Sequence, residues 1–263
     1  MFIADFFLHT LYNHYFTTMQ NIRTEDLIVI DIETASVSPS FNLLDERWQE
    51  LWEEKTIRVL PEGLTAAEFY PMRAGVMAEF SKIVCISIGY FIKEQNLKMR
   101  VKSFYGDDEK KILTDFLQTV TKIESFNNRW CFAGHNIKEF DIPFICRRLL
   151  VNNLRIPAYL DFQNMKPWET NIVDTFQYWR FGDYKNYTSL KLLAAAMGIA
   201  SPKDDIDGSM VGELYHNGTA EERVVNMKRI ATYCQKDVVT TANIILRFKN
   251  LTTVHEDDVE VVE

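Results

Sequence analysis

Four carboxylates stand where a fold can bring them to one point: Asp31 and Glu33 in "LIVIDIET", Asp141 in "GHNIKEFD", and Asp237 with Tyr233 in "YCQKD". Acids gathered in a folded core repel one another and need a counter-charge. Carboxylate oxygens suit hard divalent cations such as Mg2+ or Mn2+. Carboxylates that hold two such ions are a recurrent way to break phosphodiester bonds. The pattern therefore points to phosphodiester cleavage with two divalent cations.

The elements must deliver these groups. Leu27–Ile32 is an unbroken, β-branched apolar run, which predicts a buried central strand. Asp31 and Glu33 are two apart and project from the same strand face. Both are expected at the C-terminal, solvent-reaching edge of that strand. Tyr233 and Asp237 are four apart on a long helix predicted over 219–248, so they share a face about one turn apart. Asp141 opens a helix predicted from Phe140 to Val151, with Pro143 tolerated in its first turn. Each motif alone has a plainer reading: a polar strand end, a half-buried Tyr, or a helix cap.

Further strands are predicted at Lys82–Phe91, Leu97–Tyr105, Trp130–Gly134 and Asn171–Asp174. A helix begins after Asp107 or Asp108 and runs to about Ile123. Another covers "TSLKLLAAAMGI", with Thr188 as its cap and Gly198 as its stop. A segment at about 36–79 separates the first two strands, too long for a hairpin loop. It holds Leu44, Trp48, Leu51 and Trp52 at helical spacing and reads as a surface helix folded back on the core. The order of elements predicts an α/β fold, a mixed central sheet flanked by helices with a helical insertion between its first two strands.

Order and combination narrow the reading. Asp31-x-Glu33, Asn136-x3-Phe140-Asp141 and Tyr233-x3-Asp237 follow the order of the three motifs of the DEDDy 3′–5′ exonucleases of the RNase H-like superfamily, which this chain resembles. The Asn-x3-Phe-Asp form is most similar to the proofreading exonuclease domain of family B DNA polymerases. The resemblance covers about residues 26–248, and no polymerase module follows, as in a stand-alone bacterial relative. It implies an RNase H-like fold, with Asp31 bridging two ions. Glu33 and Asp237 then complete one ion site and Asp141 holds the second ion. Tyr233 orients the attacking water; relatives with His in this role place it one residue earlier, here Thr232. Asn136 and Phe140 contact the terminal nucleotide by the same analogy.

Tyr184, Lys185 and Tyr187 combine stacking surfaces with a cation, which suits single-stranded ends. The same segment also reads as an ordinary turn before a helix. The loop "SPKDDIDGSMV" is placed near substrate by the resemblance, and His135 reads as a hydrogen-bonding residue at a sheet end. The expectation is a metal-dependent 3′–5′ exonuclease acting on 3′ ends of single-stranded DNA or RNA, DNA favoured, with a polymerase or repair protein as a further partner. The alternative is a catalytically silent nucleic-acid-binding or polymerase-associated module on the same fold.

Composition bounds the rest. The net charge of −8 over 263 residues argues against a protein that coats nucleic acid with a broad basic face. Residues 254–263 carry five acids and no Lys or Arg, so 251–263 reads as a solvated, frayed acidic tail. Cys85, Cys131, Cys146 and Cys234 are scattered, which fits a reducing cytoplasm and no zinc site. No run approaches the length of a membrane span. Residues 1–25 read as an N-terminal extension, with Met19 as the expected native start.

Overall fold

The computed structural model describes residues 19–93, 97–166, 169–199 and 206–262. The chain enters through β1 (Leu27–Ser36), then α1 (Glu46–Thr56) and α2 (Ala66–Arg73), which lie between β1 and β2 (Ser81–Lys93). Next come β3 (Leu97–Tyr105), α3 (Glu109–Phe126), β4 (Cys131–Gly134) and α4 (Asp141–Val151). The remainder is β5 (Ile172–Asp174), α5 (Thr175–Arg180), α6 (Leu190–Ala196), α7 (Val211–His216), α8 (Ala220–Phe248) and β6 (Val259–Val262).

The strands form one mixed sheet in the order β5-β4-β1-β2-β3-β6. β1 pairs antiparallel with β2 and parallel with β4; β2–β3 is antiparallel, and β4–β5 and β3–β6 are parallel. β1 is interior, and both of its faces are covered. Ile28, Ile30 and Ile32 pack with Ile112, Leu113, Phe116 and Val120 of α3 and Ile142, Ile145 and Leu149 of α4. Leu27 and Val29 face Val238, Ala242, Ile245 and Leu246 of α8. Burial on two sides is why this strand is apolar without alternation. The mixed, helix-flanked sheet is the one that the order of elements predicts.

α8 lies close on the sheet because Gly89 of β2 has no side chain. A Cβ there would come within 2.7 Å of Val238 Cγ1. The helix starts at a capping box, with the Thr219 hydroxyl accepting from Glu222 N–H and the Glu222 carboxylate accepting from Thr219 N–H. A buried ion pair fastens the other layer. Arg148 of α4 meets Glu109 of α3 through two hydrogen bonds of 2.8 and 2.6 Å and also donates to the Ala78 carbonyl at 2.8 Å. Residues 37–80 thereby join the main body. They also hold a small core of their own around Trp52, Phe69 and Tyr70.

Several expectations need correction. β1 does not end at Ile32. It continues through a bulge after Glu33 to Ser36, which pairs with Ser81. The cap of α6 is Ser189, whose hydroxyl accepts from Leu192 N–H, and not Thr188. The acidic tail is not frayed: Val259–Val262 adds a parallel strand to β3, and Arg100 binds Glu260 at 2.7 Å. Residues 1–18, including the expected extension before Met19, and residues 201–205 of the polar loop lie outside the described residues. No described helix is long and apolar enough to cross a membrane.

Candidate active site

Along the face of β1 that meets α8, the residues read Leu27, Val29, Asp31, Glu33, Ala35. Leu27 and Val29 contact one apolar cluster of α8, and Ala35 contacts the next, formed by Ile230, Ala231 and Cys234. Asp31 and Glu33 interrupt this otherwise apolar seam. Opposite them, Cys234 continues the buried stripe of α8, and Tyr233 and Asp237 flank it, one turn apart. Helical spacing thus sets two polar groups beside the strand pair, as the sequence predicts.

Asp141 arrives from the other side of β1. It opens α4, and its carboxylate accepts a hydrogen bond of 3.1 Å from the backbone N–H of Ile32, the residue between the two strand acids. This single bond fixes α4 to the centre of the acidic constellation. Glu33 and Asp141 are buried, while Asp31 and Asp237 keep partial exposure. The strand pair is therefore not the solvent-reaching edge expected from sequence, because the extension to Ser36 carries the sheet past it.

The electrostatics follow from this crowding. Burial pushes the carboxyls of Asp31 and Glu33 well above the ordinary range. Glu33, Asp237 and Asp141 add repulsion at Asp31, and Asp237, Cys85 and Asp141 add it at Glu33. Burial likewise raises Asp141 to about 7, against the lowering effect of hydrogen bonds from its own N–H and that of Ile32. Tyr233 is pushed far above an ordinary phenol, first by burial and then by Asp237, Glu33 and Asp31. Its hydroxyl also hydrogen-bonds Asp237.

The donor set fits hard cations. Oδ2 of Asp31 is buried with no hydrogen-bond partner among the described residues. Ligand atoms of Asp31, Glu33 and Cys234 lie within 4.8 Å of one another. Sequence reasoning did not single out Cys234 at this point and noted it only as one of four scattered cysteines. Its thiol donates to the Asp31 carbonyl at 3.4 Å, and burial pushes its pKa well up. It is therefore a neutral spacer, and the carboxylates are the oxygen donors a hard ion prefers.

The other predicted residues lie around this centre. Asn136 adopts a left-handed φ of 63° and donates its N–H to Asp174 at 3.0 Å, while its own Oδ1 is buried without a partner among the described residues. Phe140 is half-buried and packs on Phe144. Tyr187 is largely exposed, but its ring rests on Phe176 at 5.0 Å and its hydroxyl feels Asp141 and Asp174. His135 joins Thr175 and the Thr188 carbonyl, both at 2.9 Å, as a sheet-end hydrogen-bonding residue would.

Two further residues were not singled out from sequence. Asp174, at the end of β5, accepts from Asn136, Lys138, Phe176 and Gln177, so it caps α5 and shapes the loop before Asp141. Its position before Thr-Phe at a strand end is an N-cap signal. Gly208 backs onto the Tyr233 hydroxyl: a Cβ there would lie 3.9 Å away. The described end of the polar loop therefore lies at the acidic centre.

A family model described as a predicted 3′–5′ exonuclease related to the exonuclease domain of PolB matches residues 76–261. That span includes Asn136, Phe140, Asp141, Tyr187, Tyr233 and Asp237, and it begins after Asp31 and Glu33. Among solved structures, the chain is similar to the family B DNA polymerase from the hyperthermophilic archaeon Pyrobaculum calidifontis. The two share 14% identity over 88% of this chain and 27% of that one, with a TM-score of 0.45. The chain thus spans little more than a quarter of that polymerase. No curated protein sequence matches it. By its family match, the chain belongs to the predicted 3′–5′ exonucleases related to the exonuclease domain of PolB.

Proposed function

We propose that this chain is a metal-dependent 3′–5′ exonuclease of the DEDDy type, releasing nucleoside monophosphates from single-stranded ends, with DNA favoured over RNA. The observation that carries the reading is the convergence of Asp31, Glu33, Asp141 and Asp237 in an apolar seam, with a buried Asp31 oxygen left unpartnered. Acids so placed repel phosphate unless cations accompany them, so a silent binding module gains nothing from the arrangement.

Asp31, Glu33, Asp141 and Asp237 would hold two Mg2+ or Mn2+ ions. When bound, these ions supply the counter-charge and stabilise charge on the phosphoryl group and the departing 3′ oxygen. Tyr233 stays a neutral phenol at any working pH, since burial first and its acidic neighbours second oppose ionisation. It donates to Asp237 and keeps its oxygen lone pairs to orient the attacking water. Asn136 and Phe140 hold the terminal nucleotide, and Tyr187 shields the approach past Asp141.

The test is product analysis on matched single-stranded DNA, single-stranded RNA and mismatched duplex, each with and without Mn2+. Nucleoside 5′-monophosphates should leave the 3′ end in order, fastest from single-stranded DNA. Internal cuts, or no metal-dependent release from any substrate, would contradict the reading.

A further inference from the structure

Five non-glycine residues among those described have positive φ: Asn136, Asn153, Asn164, Asn250 and Phe181. Asparagine tolerates the left-handed region because its short polar side chain bonds locally; a bulky aromatic does not. Phe181 holds φ 45°, ψ 33° at the C-terminal cap of α5, a position that glycine usually fills, and Gly182 follows it. Its ring is 88% exposed. A strained backbone that presents a large apolar ring to solvent gains nothing for the fold, and strain of this kind gathers at binding sites.

The surroundings give the ring a purpose. Arg180 stacks 4.0 Å above Phe176, lies 5.6 Å from the ring of Tyr184 and pairs with Glu139 at 3.1 Å, two residues before Asp141. Tyr184 is 77% exposed. At the far end of the segment, Tyr187 packs on Phe176, and the Thr188 carbonyl is tied to His135. The turn carrying Phe181 and Tyr184 is therefore anchored at both ends to the loop that delivers Asn136, Phe140 and Asp141. Exposed Lys185 adds a cation suited to a phosphate.

We propose that Phe181 and Tyr184 form a stacking platform for bases upstream of the 3′ end, so that the single strand is gripped several nucleotides before the acidic centre. Aromatic stacking on successive bases is tolerant of sequence and specific for unpaired strands. The inference rests on the exonuclease reading for the strand's direction, but the grip itself is a binding property that can be measured without turnover.

The experiment measures anisotropy of 5′-fluorescein-labelled oligothymidylates of two and twelve nucleotides with Mn2+, on an Asp237→Asn background that suppresses cleavage. Phe181→Ala should weaken the twelve-mer about tenfold and the two-mer far less, and Phe181→Trp should restore the affinity. Phe181→Gly should raise the melting temperature while losing the same affinity, a split that a structural role would not give. Twelve-mer binding by Phe181→Ala equal to that of its parent overturns the platform. Nucleotide release by the unmodified enzyme is scored separately. If release fails while the Phe181 effect persists, the exonuclease reading falls and the platform stands.

Discussion

At the level of single residues, the centre is a set of acids whose burial and mutual repulsion are unfavourable without a counter-charge. Strand and helix periodicity made it legible that Asp31 pairs with Glu33 and Tyr233 with Asp237 on shared faces; singling these residues out together with Asp141 rested on the order of motifs in the family resemblance. The depth of the strand pair and the neighbourhood of Cys234 were not legible, since both depend on how α8 seats against β1. Tyr233→Phe should slow nucleotide release by about ten- to a hundredfold, as loss of a positioning contact does, while the protein melts normally. The pH dependence is set by the raised carboxyl groups. A carboxyl whose folded pKa exceeds its unfolded value contributes stability below the unfolded value, and that contribution is lost as pH rises through the folded one. For Asp141 the loss spans roughly pH 4 to a little above 7. Thermal melts of the metal-free protein should therefore fall across that window. Added Mn2+ should raise the melting temperature more at pH 8 than at pH 5.5; an increment independent of pH would count against these acids as ligands.

At the level of elements, the long periodic segments were readable, and the errors cluster where long-range pairing decides. β3 matches its predicted span, and α8 differs only at its first residue, because each has a strong repeat and clear ends. The last four residues of β1 are mixed in polarity and are strand only because β2 supplies partners across a bulge. β6 is hidden by its acids; its strand state comes from β3, more than 150 residues earlier in the chain, with Arg100 balancing Glu260. The helices α5 and α7 span six residues each, too few for a periodic signal. The Glu109–Arg148 pair was likewise invisible, since neither residue's spacing announces the other. Arg148→Ala leaves Glu109 buried and unpaired and should cost about 3–5 kcal/mol. Urea unfolding would check this, and a loss within about 0.5 kcal/mol would show that the pair does not fasten α4.

At the level of the whole molecule, a sheet covered on both faces brings three distant pieces of chain to one seam: β1, the start of α4 and the middle of α8. The net charge of −8 argues against a broad basic face, so on the proposed reading affinity for a polyanion rests on cations at the acids and on local contacts such as the 180–188 turn. On the proposed reading, the acids on β1 do metal-dependent chemistry at a 3′ end. The most direct measurement follows 5′-labelled single-stranded DNA with Mn2+, comparing the unmodified protein with Asp31→Asn purified identically and verified as folded. The unmodified protein should shorten the strand stepwise from the 3′ end, with the variant slower by about 10²-fold or more. Equal shortening by both proteins, or none by either, would contradict that reading.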